Sequence, residues 1–279
     1  MQRASPQYLL EVMDEPEENE MSLVKAALIL AREEYPDIEV EHYVQELDGF
    51  AQRLKRRLPE VVSLGDAVFA LNQFLFDEQG FTAAVTDYDD PSNSFFNRVM
   101  DRRRGIPLSL SMLYLVLGRR IGLPLQGVPF PGHFLVKISL AGEALFLDPF
   151  AGGMSLSLED LRQMLSQIEP QPPAGALKKL LAPATRREMV VRMLRNLKLS
   201  FMRRAQLQKA LWALDRLLLL VPARPVEIRE RAELYEQLDY LPGAIADYKR
   251  YLELVPSAGD VSEVRKRVAD LRHSPFHLH

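Results

Sequence analysis

His133 and Asp148 are the residues whose types and spacing point most directly at chemistry in this chain. They lie in "FPGHFLVKISLAGEALFLDPFAGG", Phe130 to Gly153, at the outer ends of two β-type runs separated by Ala141, Gly142 and Glu143. A two-residue turn at Ala141-Gly142 pairs residues whose numbers sum to 283, so that His133 faces Phe150 and Asp148 faces Leu135. Because side chains alternate along a strand, His133 and Asp148 then share one face as diagonal neighbours. Such neighbours come within hydrogen-bond reach when the strands twist normally. Two readings follow from the pair. An aspartate that orients an imidazole and fixes its tautomer prepares a general base. Equally, a buried histidine satisfied by an aspartate holds a hairpin together.

A base of this kind needs a nucleophile, and none of the 279 residues is a cysteine. That excludes thiol catalysis, thiolate metal sites and disulfides together. Of the other histidines, His42 falls on a charged helix face, and His273, His277 and His279 belong to a terminal tail. The "DYDD" near Asp87 lacks the spaced oxygen ligands and glycine of a calcium loop. No metal and no cofactor is expected.

The elements that position these residues are readable in the pattern. Val40, Tyr43, Val44, Leu47, Phe50, Leu54 and Leu58 trace one helix face. Asp66 is placed to cap a second helix with Val68, Leu71 and Leu75 on its buried stripe. A short helix should end at Arg102 to Arg104 followed by Gly105. Pro107 then suits the first turn of a helix that is apolar on almost every side and hence buried. "LQGVPF", "HFLVKISL" and "ALFLD" read as short strands, and helical patterning resumes near Leu158. The proline density between Glu169 and Thr185 reads as a linker.

Beyond it lies an internal repeat. "QKALWALDRLLLLVP" and "PGAIADYKRYLELVP" align Ala210 with Ala244, Leu220 with Leu254 and Pro222 with Pro256, each 34 residues apart. That is the tetratricopeptide period. Ala210 and Ala244 allow close helix approach, Leu214 and Tyr248 face the same seam, and Ala232 and Tyr235 serve the preceding helix of the second unit. Two repeats bury too little surface to stand alone. They are therefore expected to dock on the N-terminal domain, with Val261 to Leu271 as a capping helix.

The bulk properties set limits. A formal net charge of -3, from 35 basic and 38 acidic side chains, advertises neither nucleic acid nor anionic membrane as a partner. The longest aliphatic run, Leu217 to Val221, is far too short for a membrane span. The N-terminus turns acidic where a secretory leader is basic and then apolar, so a cytoplasmic location is expected.

The segments "NQFLFDEQGF", "NSFFNRVMDRRRGIPLSLSMLY", "GVPFPGHFLVKI", "LDPFAGG" and "RMLRNLK" resemble, in order, the bacterial SirB-type proteins, which join a transglutaminase-like domain to tetratricopeptide repeats. The resemblance runs from about Tyr35 to Leu271. It implies an α+β, mainly helical chain. A papain/transglutaminase-like domain with a small antiparallel sheet and a helical N-terminal part would occupy residues 1–168. A linker at 169–184, an all-α repeat region with its capping helix at 185–273 and a tail at 274–279 would follow. The wider superfamily places a cysteine at the start of a buried helix, a histidine on the next strand and an aspartate on the one after. His133 and Asp148 match the last two, and the cysteine position falls on Pro107, which offers no nucleophile. The resemblance leaves Ser109 and Ser111, two and four residues further into the helix, as the substitutes to consider, with small-residue packing and first-turn hydrogen bonding as their alternative roles. A serine needs stronger help from its base than a thiol, because its hydroxyl is hardly ionised at neutral pH.

The expected function is therefore a catalytically inactive transglutaminase-like protein that binds a protein or peptide partner, with no direct contact to nucleic acid or membrane. The basic residues Arg186, Arg187, Arg192, Arg195, Lys198, Arg203 and Arg204 would favour an acidic partner or form an ordinary solvated face. The alternative is an amide or ester hydrolase with Ser109 as nucleophile or water-positioning group, His133 as base and Asp148 orienting it. A third reading, a small-molecule binding module, requires an open pocket with convergent polar groups.

Overall fold

In the computed structural model the described residues are 6–16, 20–60, 62–140, 143–173 and 175–273. Contacts divide the chain into two units, Met1–Met193 and Leu194–His279.

The first unit begins with helices α1 (Pro6–Met13), α2 (Glu20–Glu34), α3 (Val40–Lys55) and α4 (Leu64–Asn72). The apolar stripe of α3 is buried through Tyr43, Leu47, Phe50 and Leu54, as its spacing predicts. The cap of α4 is Ser63, not Asp66: Ser63 has extended backbone and its hydroxyl accepts from the Asp66 N–H at 3.1 Å. Asp66 sits inside the first turn, where a carboxylate complements the helix dipole. A single wide π turn, Gln73–Glu78, continues from α4.

A two-residue strand β1 (Thr82–Ala83) pairs in parallel with β2 (Arg104–Gly105), on either side of α5 (Phe96–Arg102). The residue that ends α5 in left-handed conformation is Arg103, with φ of 54°, rather than Gly105. Gly105 is instead held in the strand pair, where a Cβ would come within 2.5 Å of the Ser109 hydroxyl. Helix α6 (Pro107–Arg120) follows, with Pro107 in its first turn and every residue from Pro107 to Gly118 buried.

The main sheet runs β3 (Leu125–Val128), β4 (Leu135–Leu140), β5 (Glu143–Asp148) and β6 (Met154–Leu156) in that order, antiparallel throughout. Val136 pairs with Leu147 and Ile138 with Leu145, the register that the two-residue turn requires. One face packs on α6. The other gathers Val128, Phe130, Leu135 and Phe146 with Leu161 and Leu165 of α7 (Leu158–Ile168). The proline-rich stretch after α7 is not bare chain. It carries α8 (Ala176–Leu180), and Leu177, Leu180 and Leu181 pack against that same cluster.

Helix α9 (Arg186–Arg203) contains the division between the units. The second unit continues with α10 (Leu207–Leu220), α11 (Pro225–Gln237), α12 (Leu241–Leu254) and α13 (Val261–Arg272). The 34-residue period governs backbone as well as sequence. Both α10 and α12 have 14 residues, and each is entered through a left-handed residue, Ala205 at φ 55° and Asp239 at φ 57°. Ala210, Leu214, Ala232, Ala244 and Tyr248 are buried in the seams between these helices. His273 closes α13, whereas His277, His279 and the tail at 274–279 lie outside the described residues. Among the described residues no helix is long and apolar enough to cross a membrane.

Candidate functional site: a histidine–aspartate pair

His133, two residues before β4, and Asp148, the last residue of β5, come together. His133 Nε2 lies 2.8 Å from Asp148 Oδ2, with side chains 15% and 10% exposed. The separation is that of an ion-pair contact, but the angle is not that of a hydrogen bond, and Nε2 has no aligned partner. Asp148 thus lies against the ring without an aligned hydrogen bond to it. The carboxylate is itself fixed, because Oδ1 accepts from the Phe150 N–H at 2.9 Å and caps the 3-10 turn Pro149–Ala151. Phe150 meets the His133 ring edge-on at 5.8 Å, and Tyr88 meets Phe150 in the same manner at 6.3 Å.

Three supports were not foreseen from the sequence. Tyr114 of α6 donates to Asn72 Oδ1 at 2.7 Å, and Asn72 Nδ2 donates to the Gly153 carbonyl at 3.1 Å. This chain of bonds ties α6 and α4 to the turn that follows Asp148. Burial pushes the Tyr114 phenol well above its ordinary value, so it remains a donor. Gly153 has φ of 78°, and a Cβ there would strike Asn72 Oδ1 at 2.1 Å. Arg192 supplies the third support: its guanidinium donates to the carbonyls of Phe130 and His133 and lies 5.5 Å from the centre of the Phe134 ring. Signals for the first two were present, since Asn72 opens the quoted segment "NQFLFDEQGF" and Tyr114 and Gly153 close "…SLSMLY" and "LDPFAGG".

Ser109 is not brought to His133. Its hydroxyl donates to the Asn93 carbonyl at 2.7 Å and accepts from the Ile106 N–H at 3.0 Å, closing the first turn of α6. A hydroxyl has one proton, and here it is committed within a buried turn. Ser111 likewise donates to the Phe134 carbonyl at 3.1 Å. Pro107 is buried at the head of the same helix. Among the described residues the hydrogen bonds of both serines run to main-chain groups rather than to this pair.

The basic residues assigned above to an acidic partner have partners within the chain. Arg186 donates to the carbonyls of Met13, Glu15 and Pro16, and Arg187 pairs with Asp14 at 3.1 Å. Arg195 Nε bonds Glu227 at 2.8 Å and Lys198 bonds Glu230 at 2.7 Å. Among the described residues no group of three histidine or carboxylate side chains is placed to hold a metal.

Comparison with known proteins agrees with this division of the chain. Residues 41–195 match the transglutaminase-like superfamily and residues 197–269 match a tetratricopeptide repeat family. A UPF0162 protein of Xylella fastidiosa (strain Temecula1) is 37% identical over 264 residues, 93% of each chain. A UPF0162 protein of Vibrio cholerae is 33% identical, covering 91% of this chain and 93% of its own. Protein SirB1 of Salmonella typhimurium is 28% identical, covering 87% and 90%. A solved structure of menin aligns over 94% of this chain and 74% of its own, at 11% identity and a TM-score of 0.43, too low to carry an argument.

Proposed function

The chain belongs to the transglutaminase-like superfamily, in its SirB-type branch with tetratricopeptide repeats, and from that premise we propose that it is a non-enzymatic binding and regulatory module. One observation carries this reading. The helix that presents a thiol in the superfamily begins here with Pro107, in a chain with no cysteine, while Ser109 is engaged in closing the turn. The His133–Asp148 pair is then a fastening for the end of the hairpin, kept together with Phe150 and the Asn72–Gly153 link. The second unit supplies the binding function. Repeats of this period stack helix pairs into extended surfaces suited to protein or peptide partners.

Two measurements test the two halves of the proposal. Purified protein is given glutamine-amide and ester substrates, with and without an amine acceptor, beside His133→Ala and Ser109→Ala. No turnover above buffer is expected, and turnover that disappears with His133→Ala would restore the hydrolase reading. Crosslinked capture from a bacterial host is run with wild type and His133→Ala. A stoichiometric partner held equally by both places binding on the repeats, one lost only with the variant places it at the pair, and none at all defeats the binding half.

A further inference from the structure

We propose that the cleft framed by the end of α2, the turn into α3 and helix α5 is a binding site for an alkylguanidinium group. It encloses about 600 Å³, within the range of small-ligand pockets. Neither His133, Asp148 nor any residue of the second unit lines it, so the inference stands apart from the function proposed above.

The first observation is a buried amide. Asn97 is 1% exposed and lines the cleft, yet its Oδ1 is buried with no hydrogen-bond donor. A buried acceptor left without a partner lowers stability, and an apolar residue of similar size would remove the cost. The second observation is charge. Four carboxylates line the cleft, Asp37, Glu39 and Asp101 among them, against the single guanidinium of Arg98. Arg98 is already engaged, 3.3 Å from Asp101 and 5.7 Å from the centre of the Tyr35 ring. The Tyr43 hydroxyl donates to Asp101 Oδ1 at 3.1 Å, so that carboxylate is held from two sides.

An amide can face a ligand with its oxygen or its nitrogen. The surrounding carboxylates decide which, because an anion seeking the N–H would meet like charge. What fits is a cation carrying several N–H groups, able to bond a deep carbonyl oxygen and a carboxylate together. The planar five-donor fork of a guanidinium does this, and it also stacks on aromatic rings such as those of His42 and Tyr43 at the cleft wall. A lysine-type ammonium is a compact point charge and reaches fewer acceptors at one time.

The ligand is either a free alkylguanidine or an arginine side chain of a peptide, and the probes separate these. Calorimetric titration at low salt would use agmatine, a capped arginine dipeptide, butylamine and butyrate. Saturable binding of a guanidinium probe is expected, about tenfold or more tighter than butylamine, with none for butyrate. The tighter of agmatine and the dipeptide identifies the source. Asn97→Leu should unfold at the same or higher temperature while losing at least about tenfold in affinity. Asp37→Asn with Glu39→Gln, both at exposed positions, should weaken binding without moving the melting temperature. Absence of saturable binding by either guanidinium probe, or unchanged affinity in Asn97→Leu, overturns the proposal.

Discussion

The two units are fastened by different physics. In the first, α6 is buried from Pro107 to Gly118 and the sheet is sealed by apolar side chains, while polar links such as Tyr114–Asn72–Gly153 join residues far apart in sequence. In the second, ion pairs join each helix to its neighbours at near-constant separations. Arg195–Glu227 and Lys198–Glu230 span 32 residues, and Arg231 bonds Asp215 and Asp247, each 16 away. A repeat can satisfy its charges locally because every helix meets the same neighbour in the same place. A single-copy domain has no such regularity, and its polar contacts must be placed one at a time.

Breaking the contrast is most direct at Arg231, whose guanidinium grips buried Asp247 through two bonds of 2.6 and 2.9 Å. Arg231→Leu leaves that carboxylate buried and unpaired, and urea unfolding should show a loss of about 3–5 kcal/mol. Leu115→Ala in α6 removes only apolar contacts of a fully buried side chain, and a loss of about 3 kcal/mol is expected. High salt should leave the Leu115 effect unchanged, whereas any loss on weakening the more exposed Lys198–Glu230 pair should fade. Salt dependence of equal size in both would erase the distinction.

Alkaline pH probes one tyrosine in each unit. Burial, assisted by the neighbouring Asp101, pushes Tyr43 up to about 12, and burial with Glu233 nearby pushes Tyr248 to about 12. Unfolded phenols ionise near 10. Proton release therefore favours the unfolded chain: stability is intact below pH 10 and is lost as pH rises toward 12. Tyr43→Phe and Tyr248→Phe should each flatten that limb, read by unfolding titrations alongside phenolate absorbance. A limb unchanged in both variants would assign the alkaline loss to other groups.

The smallest effects concern left-handed residues, and their signs should oppose. Gly153→Ala forces a Cβ onto Asn72 at φ 78° and should cost about 1–2 kcal/mol. Ala205→Gly relieves a strained entry to α10 and should stabilise by about 0.5 kcal/mol, the αL relief exceeding the added chain entropy. Destabilisation by both would mean that Ala205 is held by contacts rather than tolerated.

These same residues explain what the sequence revealed. The repeat was legible because identical small residues and prolines recur at one period, and the boundaries of α10 and α12 follow from it. The hairpin register was legible because turn length fixes strand pairing, which is why His133 and Asp148 meet. Choices between near-equivalent residues were not. Ser63 and Asp66 are both capping types, and the chain selects the one whose backbone is extended. Arg103 takes the left-handed position because strand pairing holds Gly105. Strand β6 went unseen because Met154 and Ser155 are both exposed although they point to opposite faces, which gives no alternation to read. Helix α8 was hidden by flanking prolines, and its leucines are recruited by a sheet face that only tertiary structure supplies. The Asn72–Gly153 bond spans 81 residues, beyond any local pattern.

The matched geometry of α10 and α12, down to the conformation of Ala205 and Asp239, also sets how this chain can change length. Inserting or removing a few residues between Pro222 and Pro256 would shift helix faces and separate Arg231 from its aspartates. A whole 34-residue copy keeps the seams built on Ala210 and Ala244 in phase. The second unit is thus quantised: lineages that lengthen or shorten it should do so one complete repeat at a time.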